Sequence, residues 1–381
     1  MVRMKRNDGR HRTTAYRRAA AVFLAVCMML QTTGCGESGV DGAQTGQTGE
    51  SVDSGTAGTD GTGAQAEPQD GQTGGNGNGE EVDGTAEQME VVDVTDTIPL
   101  NIIEDNYRTY YEVFVYSFCD SDGDGIGDLQ GLISKLDYIN DGDDTTDTDL
   151  GCNGIWLMPI GPSPTYHKYD VMDYYDIDSD YGTMEDFKEL LAECDKRGIK
   201  VIMDLVLNHS SSQNPWFTEA CAYLKELGDG EPDTAVCPSF DYYHFSREQG
   251  AGCYAVEGTD WYYEAQFWSE MPDLNLDSEA LRAQIEEITG FWLDMGIGGF
   301  RLDAVKEFYT GNPQANIAFL DWFTTMVKEQ KEDAYLVGEA WLDINDYAQY
   351  YGSGIDSLFN FAFADKDGII SKVVNGSPAS M

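Results

Sequence analysis

Lysine and arginine are absent between Arg18 and Arg108, and the 381-residue chain sets 23 basic residues against 68 acidic ones, a formal net charge of −45. No basic face offsets that charge, so nucleic acid and other polyanions are excluded as partners, and a neutral substrate or a cation fits better. The apolar run Ala19–Leu30 is too short to span a bilayer. Eight cysteines allow disulfides only if the chain leaves the cytosol. What is present in quantity is core material. A hydrophobic share of 41% with 12% aromatics suits a well-packed globular protein, and the length leaves room for one large domain or two medium ones.

The first 35 residues predict export. Arg3, Lys5, Arg6, Arg10, Arg12, Arg17 and Arg18 precede the apolar run, and Thr32-Thr33-Gly34-Cys35 follows it, the layout of a signal peptide with a small-residue cleavage site. The Gly-Cys end resembles the lipobox of bacterial lipoproteins, although Thr32 stands where that pattern usually has leucine. The resemblance implies lipidation of Cys35, a membrane-anchored chain and an extracellular, cell-surface location. Cleavage would leave 16 basic against 67 acidic residues, or −51. Residues 36–96 are Gly, Thr, Asp, Glu and Gln with almost nothing to bury, so they are expected to be a disordered acidic linker holding the domain off the membrane.

Beyond Tyr110 the pattern becomes strand, turn, helix, repeated. Strands are expected at Tyr111–Phe118, Gly154–Ile160, Lys200–Leu207, Gly299–Asp303, Tyr335–Ala340 and Ser357–Phe361. Helices are expected at Asp128–Asn140, at Thr183–Arg197 with Phe187, Leu190, Leu191 and Cys194 on one face, and near residues 278–295 and 313–331. This alternation predicts an α/β fold, a (β/α)8 TIM-type barrel of which about six βα units are present in residues 97–381. After the third strand the next helix is delayed, and residues 210–277 are expected to form an irregular subdomain over the active face. Cys237 and Cys253 lie in it and are expected to pair, whereas Cys119, Cys152 and Cys194 read as small buried hydrophobes.

The polar clusters fall at strand ends. Asp204, Asn208 and His209 close the third strand, Arg301 and Asp303 the fourth, and Glu339 the fifth. Residues two apart on a strand face the same way, so Arg301 and Asp303 share a face, and the guanidinium is expected to hold Asp303 ionised. Glu339, read as having no such partner, could stay protonated. One ionised carboxylate and one acid are what glycoside hydrolysis needs, but from spacing alone a structural ion pair at a strand end fits as well.

These segments, in this order, resemble the conserved regions of the α-amylase superfamily, glycoside hydrolase family 13, from about Tyr107 to the C-terminus. Met271-Pro272-Asp273-Leu274-Asn275 matches a fifth such region. The resemblance implies Asp303 as nucleophile and Glu339 as general acid/base. It implies Arg301 as the group orienting the nucleophile, and His209 and Tyr169 as ligands of the sugar next to the cleaved bond. Asp204 would be a partner beneath them, and Lys306 would line a leaving-group subsite. An α-glucan or malto-oligosaccharide substrate follows.

Asp120-Ser-Asp122-Gly-Asp124-Gly-Ile126-Gly-Asp128 alternates carboxylates around glycine turns and adds the Ile126 carbonyl, a donor set suited to Ca2+. Gly131 stands where an EF-hand would place glutamate, and no helix is expected ahead of the loop. The superfamily carries a similar calcium loop here, and Asn208 resembles a ligand of another of its calcium sites. One departure stands out. The superfamily's third carboxylate, after strand seven, has no candidate before Met381, so the sequence is expected to be a truncated gene or a fragment. Three functions remain open at this point: an α-1,4-glucan hydrolase, an α-glucosidase, oligo-1,6-glucosidase or transglycosylase on short oligosaccharides, or a non-catalytic surface glucan-binding protein. Oligo-1,6-glucosidases commonly have Gln where Met271 stands, which favours the first.

Overall fold

The structure, a computed structural model, describes residues 104–366 and 368–374. The expected signal peptide, the expected lipidation site Cys35 and the expected acidic linker lie outside those residues. Among the described residues, no helix is long and apolar enough to cross a membrane.

In chain order come β1 (Tyr110–Val113), three short helices α1 (Val115–Phe118), α2 (Leu129–Ile133) and α3 (Leu136–Ile139), then β2 (Gly154–Leu157), α4 (Met184–Lys196) and β3 (Lys200–Leu205). An excursion follows with α5 (Pro215–Leu227) and the strands β4 (Phe245–Ser246), β5 (Cys253–Ala255) and β6 (Tyr262–Glu264). The alternation resumes with α6 (Glu279–Met295), β7 (Gly299–Leu302), α7 (Pro313–Gln330), β8 (Tyr335–Gly338), α8 (Ile344–Tyr347), β9 (Ser357–Leu358), α9 (Phe361–Ala364) and α10 (Ile369–Val374).

Six strands pair in parallel in the order β1-β2-β3-β7-β8-β9, a sheet curled into a half-barrel of the (β/α)8 type. β3 and β7 are buried almost along their whole length, because helices cover one face and the barrel interior the other. α4 starts where Thr183 and Asp186 cap each other's backbone N–H groups, and it buries Phe187, Leu190 and Cys194. Gly299 has φ 145°, and a Cβ there would lie 1.9 Å from the Tyr335 carbonyl oxygen, so only glycine lets β7 close on β8.

Several expectations are corrected. The first strand stops at Val113, and Val115–Phe118 coils into one helical turn because Tyr116 and Cys119 turn their carbonyls to the N–H groups of Gly127 and Asp128, at 2.7 and 3.0 Å. A helical turn therefore does precede the acidic loop. The helix expected over Asp128–Asn140 is two pieces, broken at Ser134, whose hydroxyl donates to the Gly131 carbonyl at 2.7 Å. Cys119 is half-buried rather than buried. Cys237 and Cys253 do not pair. The Cys237 thiol is buried against Ser239 Oγ at 3.2 Å, while Cys253 lies on β5 with its sulfur toward the Ala251 carbonyl.

The excursion is more regular than expected. Asn214 caps α5 by accepting from the Trp216 N–H, Pro215 opens it, and the three short strands form an antiparallel sheet ordered β4-β6-β5. It leaves and rejoins the barrel at one place. His209 and Asp273 form an antiparallel bridge, Ser210 N–H donates to the Pro272 carbonyl at 3.1 Å, and Leu274 N–H to that of Asn208 at 2.9 Å.

Candidate active site

Strand register brings the expected residues together. Asp204 on β3 is paired with Arg301 on β7, and Leu302 with Gly338 on β8, so Asp303 and Glu339 follow side by side at the strand ends. Glu339 N–H donates to the Leu302 carbonyl at 2.9 Å, and the Glu339 carbonyl accepts from Val305 N–H at 3.0 Å, which fixes the two ends against each other. Between them Ala304 has φ 46°, a left-handed conformation that alanine adopts at a cost of about 1–2 kcal/mol.

One cation organises the cluster. Arg301, 4% exposed, donates through Nη1 to Asp204 Oδ1 (2.8 Å), Asp204 Oδ2 (3.0 Å) and Asp303 Oδ1 (2.8 Å), and through Nη2 to Glu339 Oε2. Its guanidinium carbon lies 5.0 Å from the centre of the Trp156 ring, 5.6 Å from Phe359 and 5.9 Å from Tyr169. The Tyr169 hydroxyl and Trp156 Nε1 each donate to Asp204 Oδ2 at 3.2 Å. Glu339 therefore does share the arginine, contrary to the reading from spacing, because the planar fork has a second terminal nitrogen that reaches β8.

Three carboxyl groups around one guanidinium cannot all ionise cheaply. Burial pushes Glu339 up to about 7, with Arg301 opposing and the Asp303 charge adding to the rise. Burial likewise pushes Asp204 up to about 7, Arg301 opposing and Asp303 reinforcing. The cluster thus holds protons near neutral pH, and its apparent titrations belong to the group as a whole. Arg301 is itself raised above its ordinary range by Asp204 and Asp303, against the effect of burial.

Around this core sit further polar atoms without partners. His209 is buried, its imidazole is pushed below its ordinary range by burial, and Nε2 makes no hydrogen bond. The Phe267 ring lies 5.2 Å from it. Asp170 is buried too. Its Oδ1 accepts from Ser163 Oγ at 2.7 Å and from the Thr165 hydroxyl, while Oδ2 is unpaired and burial raises its pKa. Unsatisfied buried groups cost about 1–3 kcal/mol each, a cost that a hydroxyl-rich ligand would relieve. Asp170, Trp156 and Phe359 were not singled out from the sequence. The first directly follows Tyr169, which the resemblance does name, whereas the two rings read as ordinary core. Lys306 stands apart from the cluster, its Nζ 3.1 Å from Glu307 Oε1.

The acidic loop is partly assembled. Asp120, Asp122 and Asp124 offer carboxylate oxygens within 4.8 Å of one another, the one such group of three among the described residues. Asp120 is held below its ordinary range chiefly by the N–H groups of Gly123 (2.6 Å) and Gly125 (2.8 Å). Asp128 is otherwise engaged, accepting from Ser121 N–H, Ser121 Oγ and Gly131 N–H as the cap of α2. A Cβ at Gly131 would lie 2.0 Å from the Cys119 carbonyl oxygen, so no glutamate could stand there. Asn208 faces Asp273, with Nδ2 3.5 Å from Oδ1.

The family profile "Alpha amylase, catalytic domain" matches residues 112–376. Alpha-amylase 3 of Dictyoglomus thermophilum is 44% identical over 269 residues, covering 70% of this chain and 49% of that protein. Among solved structures, Eubacterium rectale Amy13B is similar with 56% identity and a TM-score of 0.68, over 72% of this chain and 52% of that one. An alpha-amylase from H. orenii follows at 44% identity and TM-score 0.59, over 66% of this chain and 51% of that one. A half-barrel carrying an Asp–Arg–Asp–Glu cluster at its strand ends defines a glycosidase-type catalytic domain. The chain belongs to the α-amylase family, glycoside hydrolase family 13. It spans about half the length of the curated relatives it matches.

Proposed function

We propose that the whole protein hydrolyses α-1,4-glucosidic bonds in starch-like α-glucans with retention of configuration. The observation that carries this reading is the pairing of Asp303 with a Glu339 held near neutrality by burial, both on Arg301. Asp303 attacks the anomeric carbon while Glu339 protonates the departing oxygen. A water then enters, gives its proton to Glu339 and releases the sugar. An acid whose pKa sits near the working pH serves both steps. Arg301 orients Asp303 from a socket made by Asp204, Trp156 and Phe359. His209 and Tyr169 receive the glycone, and Lys306 flanks the leaving-group side.

A cation at Asp120, Asp122 and Asp124, with the Ile126 carbonyl as a further donor, would be Ca2+ by the hardness of those oxygens, offsetting part of the loop's charge. The N-terminal segment, by its composition, would make this a cell-surface lipoprotein. A second reading has support of its own. Relatives at 35% and 37% identity are named Glucan 1,6-alpha-glucosidase of Streptococcus pneumoniae and Oligo-1,6-glucosidase of Parageobacillus thermoglucosidasius. Parallel digests of soluble starch and isomaltose, with the anomer of the first product read by NMR, decide between them. Release of α-configured malto-oligosaccharides from starch alone is expected. Cleavage of isomaltose alone would move the assignment to the 1,6-linkage, and a β-configured first product would refute retention.

A further inference from the structure

We propose that Lys168 is a positioning residue for the glycone side of the site, a role that rests on the hydrolase reading above. It lies between His167 and Tyr169 and is 2% exposed, with φ 63°. Two costs meet at this one position. A left-handed non-glycine residue costs about 1–2 kcal/mol, and a buried ammonium several more unless it is paired. Here it is paired: Nζ lies 2.8 Å from Asp178 Oδ2, 3.8 Å from Asp180 Oδ2 and 5.0 Å from the centre of the Tyr181 ring.

The arrangement clamps two limbs of the long loop that follows β2. Asp178 also accepts from Ser163 N–H at 3.1 Å and from Asp180 N–H at 2.9 Å, so one carboxylate gathers residues 163, 168 and 180. With Lys168 turned into the loop, its neighbours turn toward the cluster. Tyr169 N–H donates to His167 Nδ1 at 3.1 Å, the two rings stand 6.0 Å apart, and the Tyr169 hydroxyl reaches Asp204. Ser163, on the same limb, holds Asp170. The clamp also touches the acidic loop, since the Tyr181 carbonyl accepts from Leu129 N–H at 2.9 Å, the residue after Asp128. Lys168 thus fixes where His167, Tyr169 and Asp170 stand without itself contacting Arg301 or the carboxylates bound to it.

The test compares Lys168→Met with the double variant Lys168→Met/Asp178→Asn in the full chain. The single change leaves Asp178 unpaired and should lower Tm, whereas the double change removes the stranded charge and should restore most of it. If Lys168 positions the glycone side, both variants lose about 10- to 100-fold in kcat/KM on 4-nitrophenyl α-maltoside, mainly through KM, the scale on which ångström displacements act. The nuclear Overhauser contact between the His167 and Tyr169 rings, which loss of a charge alone would not erase, should disappear in both. A double variant that regains Tm and full kcat/KM together would overturn the proposal and leave Lys168 as a stabilising residue only. If the unaltered chain cleaves no α-glucoside, the hydrolase reading fails separately. The ring contact then decides alone: kept in the double variant, it refutes positioning, and lost, it supports it.

Discussion

Replacing Arg301 by methionine isolates what one cation does for three carboxyl groups. Methionine keeps much of the volume between Trp156 and Phe359 but leaves Asp204, Asp303 and Glu339 without a counter-charge. Breaking a buried ion pair on one side costs about 3–5 kcal/mol. At about 2 °C per kcal/mol for a domain of this size, Tm should fall by roughly 6–10 °C near neutral pH. The pH dependence is the sharper part. Asp204 and Glu339 are raised from 3.8 and 4.5 to about 7 in the folded protein, so the fold holds protons that the unfolded chain has already released. Stability contributed by those protons is fully present below about pH 4 and is lost as pH rises through about 7. Without Arg301 the folded values climb further. The deficit of the variant should therefore be largest above pH 7 and shrink toward about pH 5, where Asp204 and Glu339 carry protons in both proteins. Melts followed by near-ultraviolet circular dichroism at about pH 5 and about pH 7.5, at one ionic strength, measure it. An equal deficit at both values would refute the reasoning, because mere loss of packing has no reason to titrate.

Asp303→Asn should abolish turnover while leaving Tm within a few degrees, and appreciable hydrolysis by that variant would remove the nucleophile assignment. Chelator should lower Tm and Ca2+ restore it, by about 2.7 kcal/mol of stabilisation when the ion is at a hundred times its Kd; Asp122→Ala with Asp124→Ala should erase that response, and its survival would place the metal elsewhere. Ala304→Gly should stabilise the fold by about 0.5–1 kcal/mol in urea unfolding, since relief of the left-handed cost exceeds glycine's added chain entropy; a net loss would mean that the Ala304 methyl packs productively.

Much of this was legible because strand ends and strand periodicity are local properties. Apolar runs ending in Asp204, Arg301 or Glu339 mark both the sheet and the rim where chemistry gathers, and register then did the assembling. What escaped is three-dimensional. Arg301 reaching Glu339 depends on which way a guanidinium fork lies between two rings, and no spacing encodes that. Trp156 read as core because its strand is apolar, yet its indole N–H is directed at Asp204. The turn Val115–Phe118 looked extended because its aromatics favour strands, but the acidic loop draws its carbonyls inward. The α5 helix was hidden in an aromatic-rich stretch although Asn214-Pro215 announces its start. The free thiols show the limit of pairing cysteines by proximity in sequence.

The bridge between His209 and Asp273 has an evolutionary corollary. The excursion's two ends are neighbours, so the barrel experiences it as a loop already closed at its base, whatever lies inside. Halving or doubling such a closed segment changes its closure entropy by only about 0.6 kcal/mol. The rim above the catalytic strands can therefore be lengthened, shortened or exchanged almost independently of the chemistry below. The exception is Asp273: it pairs with His209, and its Oδ2 accepts from Gln266 N–H at 2.9 Å. That residue works as a hasp, and under the proposed hydrolase function the material beyond it is free to diversify which chain ends, branches or lengths of substrate the same cluster meets.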